Sequence, residues 1–165
     1  MSQNNSIQIF ITGGTFDKSY DYINGDLYFE KTHIPEMLKR SRCHLDVNVK
    51  TLMMIDSLEM TPEDRKLVVE NCKHAKEEKI IITHGTDTMT ETGRMLAEAK
   101  IEKTIVLTGA MIPYKFGSSD GLFNLGSALG FVQSLPKGIY IAMNGRCFDH
   151  DKVKKNKETG IFEGI

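Results

Sequence analysis

Ile80-Ile81-Ile82-Thr83-His84-Gly85-Thr86-Asp87-Thr88 is an apolar run that turns abruptly into hydroxyls, a histidine, a glycine and a carboxylate. Three β-branched residues in a row, preceded by Lys76-Glu77-Glu78-Lys79 and followed by a helical pattern, suit a central parallel strand covered on both faces. The polar cluster then falls at the carboxyl end of that strand, where open α/β sheets bind ligands.

Working outward, Ile7 to Ile11 reads as a first strand, broken by Thr12-Gly13-Gly14-Thr15, whose two glycines are free to adopt positive φ. Phe16 to Phe29 has no sustained period, holds three tyrosines and carries turn chemistry at Asn24-Gly25, the pattern of a mobile lid or hairpin. Ile34, Met37 and Leu38 fit a short helix ending in Lys39-Arg40-Ser41-Arg42, whose charge complements a helix C-terminus. Leu45, Val47 and Val49 alternate as a second strand. Thr61-Pro62-Glu63-Asp64 combines an N-cap, proline at the first helical position and acids in the first turn, predicting a helix to about Glu78.

Beyond the central strand the pattern predicts a helix over Met89 to Lys100, with Met95, Leu96 and Ala99 at helical spacing, and a buried strand over Thr104 to Thr108. Asp120 stands as N-cap of a helix whose apolar face is Leu122, Leu125, Ala128, Leu129 and Val132. Gly138 to Met143 reads as the last strand, and Asp149 to Ile165 as a charged tail holding Lys152, Lys154, Lys155 and Lys157. Strands alternating with helices argue for a doubly wound α/β domain, flavodoxin-like or Rossmann-like, with a mostly parallel sheet and helices on both faces. A chain of 165 residues suits one domain, and no repeat, linker or low-complexity tract divides it.

With 21 basic and 22 acidic residues the net charge is -1, which points away from nucleic acid and anionic membranes and toward a small molecule or another protein. The polar Met1 to Asn5 lacks a basic leader segment, and no apolar run approaches roughly 20 residues, so a cytoplasmic protein is expected. Cys43, Cys72 and Cys147 are odd in number and widely spaced, as free thiols would be. No metal is expected, since His84 has no convincing partner and Cys147 with His150 makes only a C-x-x-H fragment.

Two strand ends thus carry similar equipment, Thr12 to Thr15 and Thr83 to Thr88. A threonine hydroxyl is a poor nucleophile until a neighbouring base or cation activates it, and Asp87 and the tail lysines are the candidates. Backbone N–H groups at Gly14 or at the helix start after Thr88 could hold an oxyanion. Each feature also has a plainer reading. Gly13-Gly14 could merely close a turn; it lacks the spacing of a dinucleotide site, and a phosphate- or nucleotide-binding reading rests on it alone. Thr86, Asp87 and Thr88 could be helix caps, the lysine run a solvated face, the tyrosines hairpin packing, and His84 a backbone hydrogen-bonder.

Taken together, Ile11-Thr12-Gly13-Gly14-Thr15, Ile82 to Met89 and Leu107-Thr108-Gly109-Ala110-Met111 resemble the bacterial-type L-asparaginase and glutaminase family. Asp120 to Leu125 and Val153-Lys154-Lys155 also fall where that family has related residues. The resemblance covers nearly the whole chain as the family's amino-terminal domain; the usual smaller carboxyl-terminal domain has no counterpart. It implies a hydrolase that splits a side-chain amide of L-asparagine or a related small amide through a threonine acyl-enzyme, with no metal or organic cofactor. In that frame Thr15 is the nucleophile and Tyr28 its partner, with Tyr20 and Tyr22 as alternatives. Thr86, Asp87 and Lys155 form a second catalytic set, a threonine that activates water or attacks, flanked by an acid and a lysine. Asp56 and Ser57 grip the substrate's α-carboxylate, Asp87 also pairs with its α-amino group, and Gly14, Gly85 and Ala110 complete the substrate-binding set. Leu58 departs from the family, which commonly has a polar residue there. A homo-oligomer is expected, since an open single-domain site gains from a neighbour's surface. The rival reading is a non-catalytic asparagine- or aspartate-binding or regulatory module that retains the pocket.

Overall fold

A computed structural model describes residues 5–165; the polar segment read against a leader lies, apart from Asn5, outside them. Strand β1 (Ile7–Gly13) is buried along its whole length and runs into a single 3-10 turn, Thr15–Asp17. The lid segment is a two-stranded hairpin, β2 (Lys18–Asp21) and β3 (Asp26–Phe29), with Gly25 at φ 75° in its turn. Helix α1 (Ile34–Arg40) follows, then β4 (Val47–Ile55), α2 (Pro62–His74), β5 (Lys79–Thr83), α3 (Met89–Glu98), β6 (Thr104–Thr108), α4 (Gly121–Ser134) and β7 (Gly138–Met143). Three short strands close the order: β8 (Arg146–Asp149), β9 (Val153–Lys155) and β10 (Phe162–Gly164).

The main sheet has the order β4-β1-β5-β6-β7-β8, parallel except for β8. Its inner strands are apolar on both faces because both are covered. Ile7, Ile9, Ile11, Ile81, Val106 and Ala142 pack against α1 and α4, while Phe10, Ile80, Ile82, Ile105, Leu107 and Ile141 pack against α2 and α3. Edge strand β4 instead alternates half-buried and exposed residues over its first half. The chain winds outward from β1 to β4 and then returns to β5 on the other side of β1. That reversal makes the carboxyl ends of β1 and β5 the topological switch point, the crevice at which doubly wound sheets bind ligands.

Several boundaries differ from the pattern-based expectation. Helix α2 starts as predicted, with a reciprocal capping box between Thr61 and Asp64, but ends at His74. Ala75 turns extended, and the buried Lys103 ammonium takes the carbonyls of Cys72 and Ala75, ending the helix four residues short of Glu78. Strand β4 begins at Val47 and continues six residues past Val49, leaving Leu45 outside it. Asp120 stands at the N-cap position of α4 in helical geometry without capping it; its carboxylate turns back to accept the Met111 and Ile112 N–H groups. Gly138 to Met143 is followed by three further strands because Asn144 and Gly145, both at positive φ, fold β8 back antiparallel on β7.

Candidate active site

At the crevice the strand ends touch. A Cβ placed on Gly14 would lie 2.5 Å from the backbone of Gly85, and one on Gly85 would lie 2.5 Å from the Ser57 side chain. Gly14 has φ 76° and ψ -178°, a conformation open essentially to glycine alone. The ends of β1 and β5 thereby meet backbone to backbone, and Ser57, just past β4, seats its side chain against the far side of Gly85. Thr15 and Thr86 directly follow the two touching glycines, so the two threonine arms start from one point of contact.

Thr12 and Thr83, which share the motifs, have structural work instead. The Thr12 hydroxyl donates to the Thr83 carbonyl at 2.8 Å, the His84 N–H to the Thr108 carbonyl at 2.9 Å, and the Thr108 hydroxyl to the Ala142 carbonyl at 2.8 Å. These bonds tie the carboxyl ends of β1, β5, β6 and β7 to one another and lock them in register. The next loop over is held the same way. Asn124 donates to the Gly109 carbonyl at 2.8 Å and Asp120 grips the Met111 N–H, so buried Ala110 is fixed from both sides.

Lys155 joins the second half of the site. Its ammonium donates to Thr86 Oγ1 and Asp87 Oδ1, both at 2.8 Å. The reason is strand periodicity: Val153 and Lys155 share one face of β9, Val153 is buried, and Lys154 between them points to solvent. Lys152, Lys154 and Lys157 form the solvated face expected of a lysine run, from which Lys155 alone departs. Thr86 and Asp87 therefore do not cap α3. Thr88 occupies the N-cap position but donates its hydroxyl to the Ser57 carbonyl at 2.8 Å.

On the Thr15 side a residue missed by sequence reading enters. The Lys18 ammonium lies 2.7 Å from Asp56 Oδ2, while Asp56 Oδ1 accepts the Leu58 N–H. The hydrogen bond from Lys18 is the largest influence holding the Asp56 carboxyl below its ordinary range. Asp56 is thus committed within the chain, and Ser57 is buried against Gly85. Leu58 is exposed at the head of that turn. The only hint of Lys18 was its place directly after Asp17 in a segment without period. Tyr28 stands opposite Ser19 on the hairpin, exposed, and among the described residues its hydroxyl makes no hydrogen bond to Thr15. Tyr20 is packed edge-on against Phe116, ring centroids 6.1 Å apart, and Tyr22 is exposed near the hairpin tip.

Two buried titratable groups flank the site. His84 is fully buried; Nδ1 lies 2.8 Å from the Gly85 carbonyl, which can only accept, so Nδ1 carries a hydrogen, and burial keeps the ring neutral. Burial pushes its pKa from 6.5 to about 4. Asp17 is equally buried; Oδ1 accepts from the His33 N–H and the Thr32 hydroxyl, and desolvation drives its carboxyl from 3.8 up to about 6. It ties the two roots of the hairpin together.

The arrangement matches the family described as "Asparaginase, N-terminal" over residues 6–162. The chain belongs to the asparaginase family. It is 29% identical over 169 residues to L-asparaginase 1 of Escherichia coli, covering 96% of this chain and 50% of that protein. A component of the glutamyl-tRNA(Gln) amidotransferase of Methanococcus vannielii is 32% identical, over 92% of this chain and 38% of its own length. The crystal structure of a probable cytoplasmic L-asparaginase from Campylobacter jejuni superposes with a TM-score of 0.83 at 28% identity, covering 98% of this chain and 53% of that one. This asparaginase-family chain spans about half the length of the L-asparaginases it matches.

Gly14→Ala should destabilise the fold by roughly 2–4 kcal/mol in urea unfolding, from backbone strain plus the collision with Gly85. The buried groups predict opposing pH effects. Between about pH 4 and 6.5 the unfolded chain holds a proton that folded His84 does not, so this contribution rises with pH. Between 3.8 and about 6 folded Asp17 keeps a proton that the unfolded chain has released, so its contribution falls with pH. Calorimetric melting should therefore show the Asp17→Asn protein gaining stability from pH 4 to 6.5 more steeply than wild type. His84→Gln should gain less stability than wild type with rising pH over the same window.

Proposed function

We propose that the chain is an asparaginase-like amidohydrolase that converts L-asparagine, or a related small amide, to aspartate and ammonia through a threonine acyl-enzyme. The observation that carries this reading is the Lys155 ammonium held on both Thr86 and Asp87, on the strand end that touches the one bearing Thr15. Family membership supports it, and the names of the relatives supply the substrate class.

An amide has a weakly electrophilic carbonyl and a poor leaving group, so cleavage needs an activated hydroxyl, a cradle for the oxyanion and a proton for departing ammonia. In this reading Thr15 Oγ attacks the carbonyl carbon as its proton is passed to the departing nitrogen, the tetrahedral oxyanion collapses with cleavage of the C–N bond, ammonia leaves, and an acyl-Thr15 ester remains. Because Thr86 Oγ1 accepts from the ammonium, its own hydrogen is directed elsewhere, and the cation lowers the cost of negative charge developing on that oxygen. Thr86 then serves as the relay that activates water to hydrolyse the ester, with Asp87 holding Lys155 in place and meeting the substrate's α-amino group. Tyr28 assists Thr15 once the hairpin closes over substrate. The open site argues for a homo-oligomer in which a second copy covers it, and a monomeric mass in light scattering at working concentration refutes that part. A cytoplasmic location is the companion reading; no helix among the described residues is long and apolar enough to cross a membrane.

Ammonia release from L-asparagine and L-glutamine should fall at least about 10³-fold in Thr15→Ala and in Thr86→Ala. Full activity in both variants overturns the mechanism. Wild type that is thermally stabilised by asparagine yet frees no ammonia is instead the binding module.

A further inference from the structure

Arg65 is a charged side chain from the first turn of α2, 5% exposed, in a place where nothing in the reaction calls for it. Its guanidinium has four acceptors: Nη1 lies 2.7 Å from Thr92 Oγ1 and 3.1 Å from Met60 Sδ, and Nη2 lies 3.0 Å from Thr88 Oγ1 and 3.2 Å from Glu91 Oε2. Thr92 Oγ1 also lies 2.7 Å from His84 Nε2.

The direction of every hydrogen in this network is fixed. A guanidinium has no lone pair to offer, so both threonine oxygens accept from it. The Gly85 carbonyl can only accept, so the single hydrogen of the neutral His84 ring sits on Nδ1, and Nε2 is left to accept the Thr92 O–H. The Thr88 O–H likewise donates to the Ser57 carbonyl. From one cation, one path ends on the Gly85–Thr86 peptide and the other on the residue after Asp87. Between those two anchors lie only Thr86 and Asp87, and both of their side chains go to Lys155. A carbonyl and the N–H of its peptide unit point in opposite directions, so fixing the Gly85 carbonyl also fixes the Thr86 N–H.

We infer that Arg65 is the positioning residue for the Thr86–Asp87 arm, acting through Thr92 and His84 at one end and through Thr88 at the other. Its kinetic consequence rests on the amidohydrolase reading; its geometric consequence does not. The fork of a guanidinium suits the task, since its donors leave in fixed directions from one rigid plane.

The decisive comparison is Thr92→Val, which keeps shape and removes the hydroxyl, against Thr92→Ser, which keeps the hydroxyl, with Arg65→Met beside them. Thr92→Val should lower kcat for ammonia release by roughly 10- to 100-fold with KM within about threefold, and Thr92→Ser should stay within about threefold of wild type. In crystal structures of Thr92→Val and Arg65→Met, the Lys155 Nζ to Thr86 Oγ1 separation should exceed roughly 3.5 Å, beyond hydrogen-bond reach. The inference is overturned if that separation stays at the present 2.8 Å, or if Thr92→Ser is as impaired as Thr92→Val. A lower melting temperature with unchanged kcat per folded molecule also overturns it, since that describes a clamp serving only the fold. If Arg65→Met does not fold, Thr92→Val decides alone. Wild type that frees no ammonia refutes the proposed function, and the variant structures then settle the positioning role by themselves.

Discussion

The contact on which the site depends is the one between backbones at Gly14 and Gly85, with Ser57 seated against the far side of Gly85. Sheet geometry alone leaves neighbouring parallel strands about 4.8 Å apart, with side chains standing away from both faces. Past the strand ends that spacing normally opens out. Here two residues without Cβ atoms keep the chains together for one more step. The hydroxyl bond from Thr12 to the Thr83 carbonyl holds the same two strands just before the glycines, so the closeness is enforced from both sides.

Around this stack the charges alternate. Lys18 meets Asp56 on one side and Lys155 meets Asp87 on the other, and the Lys155 charge is also felt by Asp56. Ion pairs that remain partly in solvent contribute only about 0–1 kcal/mol each to stability, so their value lies in direction more than in strength. Each cation brings a hydrogen-bond donor to a defined place in the crevice. The buried groups behind them, His84, Asp17 and Arg65, are costlier to desolvate and unequally satisfied: Arg65 has four hydrogen-bond acceptors, whereas Asp17 Oδ2 has no hydrogen-bond partner among the described residues.

The central strands were legible because burial on both faces leaves an uninterrupted apolar run, as in Ile80 to Ile82, and the glycine pair was legible because positive φ selects for it. The start of α2 could be read from its N-cap threonine, the proline that follows and the acids of the first turn. Its end could not, because the residue that stops it, Lys103, comes from a loop nearly thirty positions on. Strands β9 and β10 are three residues each, too short for any period to show in a lysine-rich stretch. Arg65 and Lys18 carry no local signal, since an arginine in a helix and a lysine in a loop look alike whether solvated or buried. The chemical pairing of Lys155 with Thr86 and Asp87 was reached through the family resemblance, and the alternation along β9 supplies its physical cause.

The pairs that build the crevice are far apart along the chain: Thr12 with Thr83, Lys155 with Thr86 and Asp87, each separated by 68–71 positions. Contacts of that span form only after large loops have closed, and they come late relative to local helices and hairpins. The crevice is therefore a product of the completed topology. A partly folded chain can hold α2, α3 and the aromatic hairpin in native form and still keep the two threonine arms apart and the lysine in water.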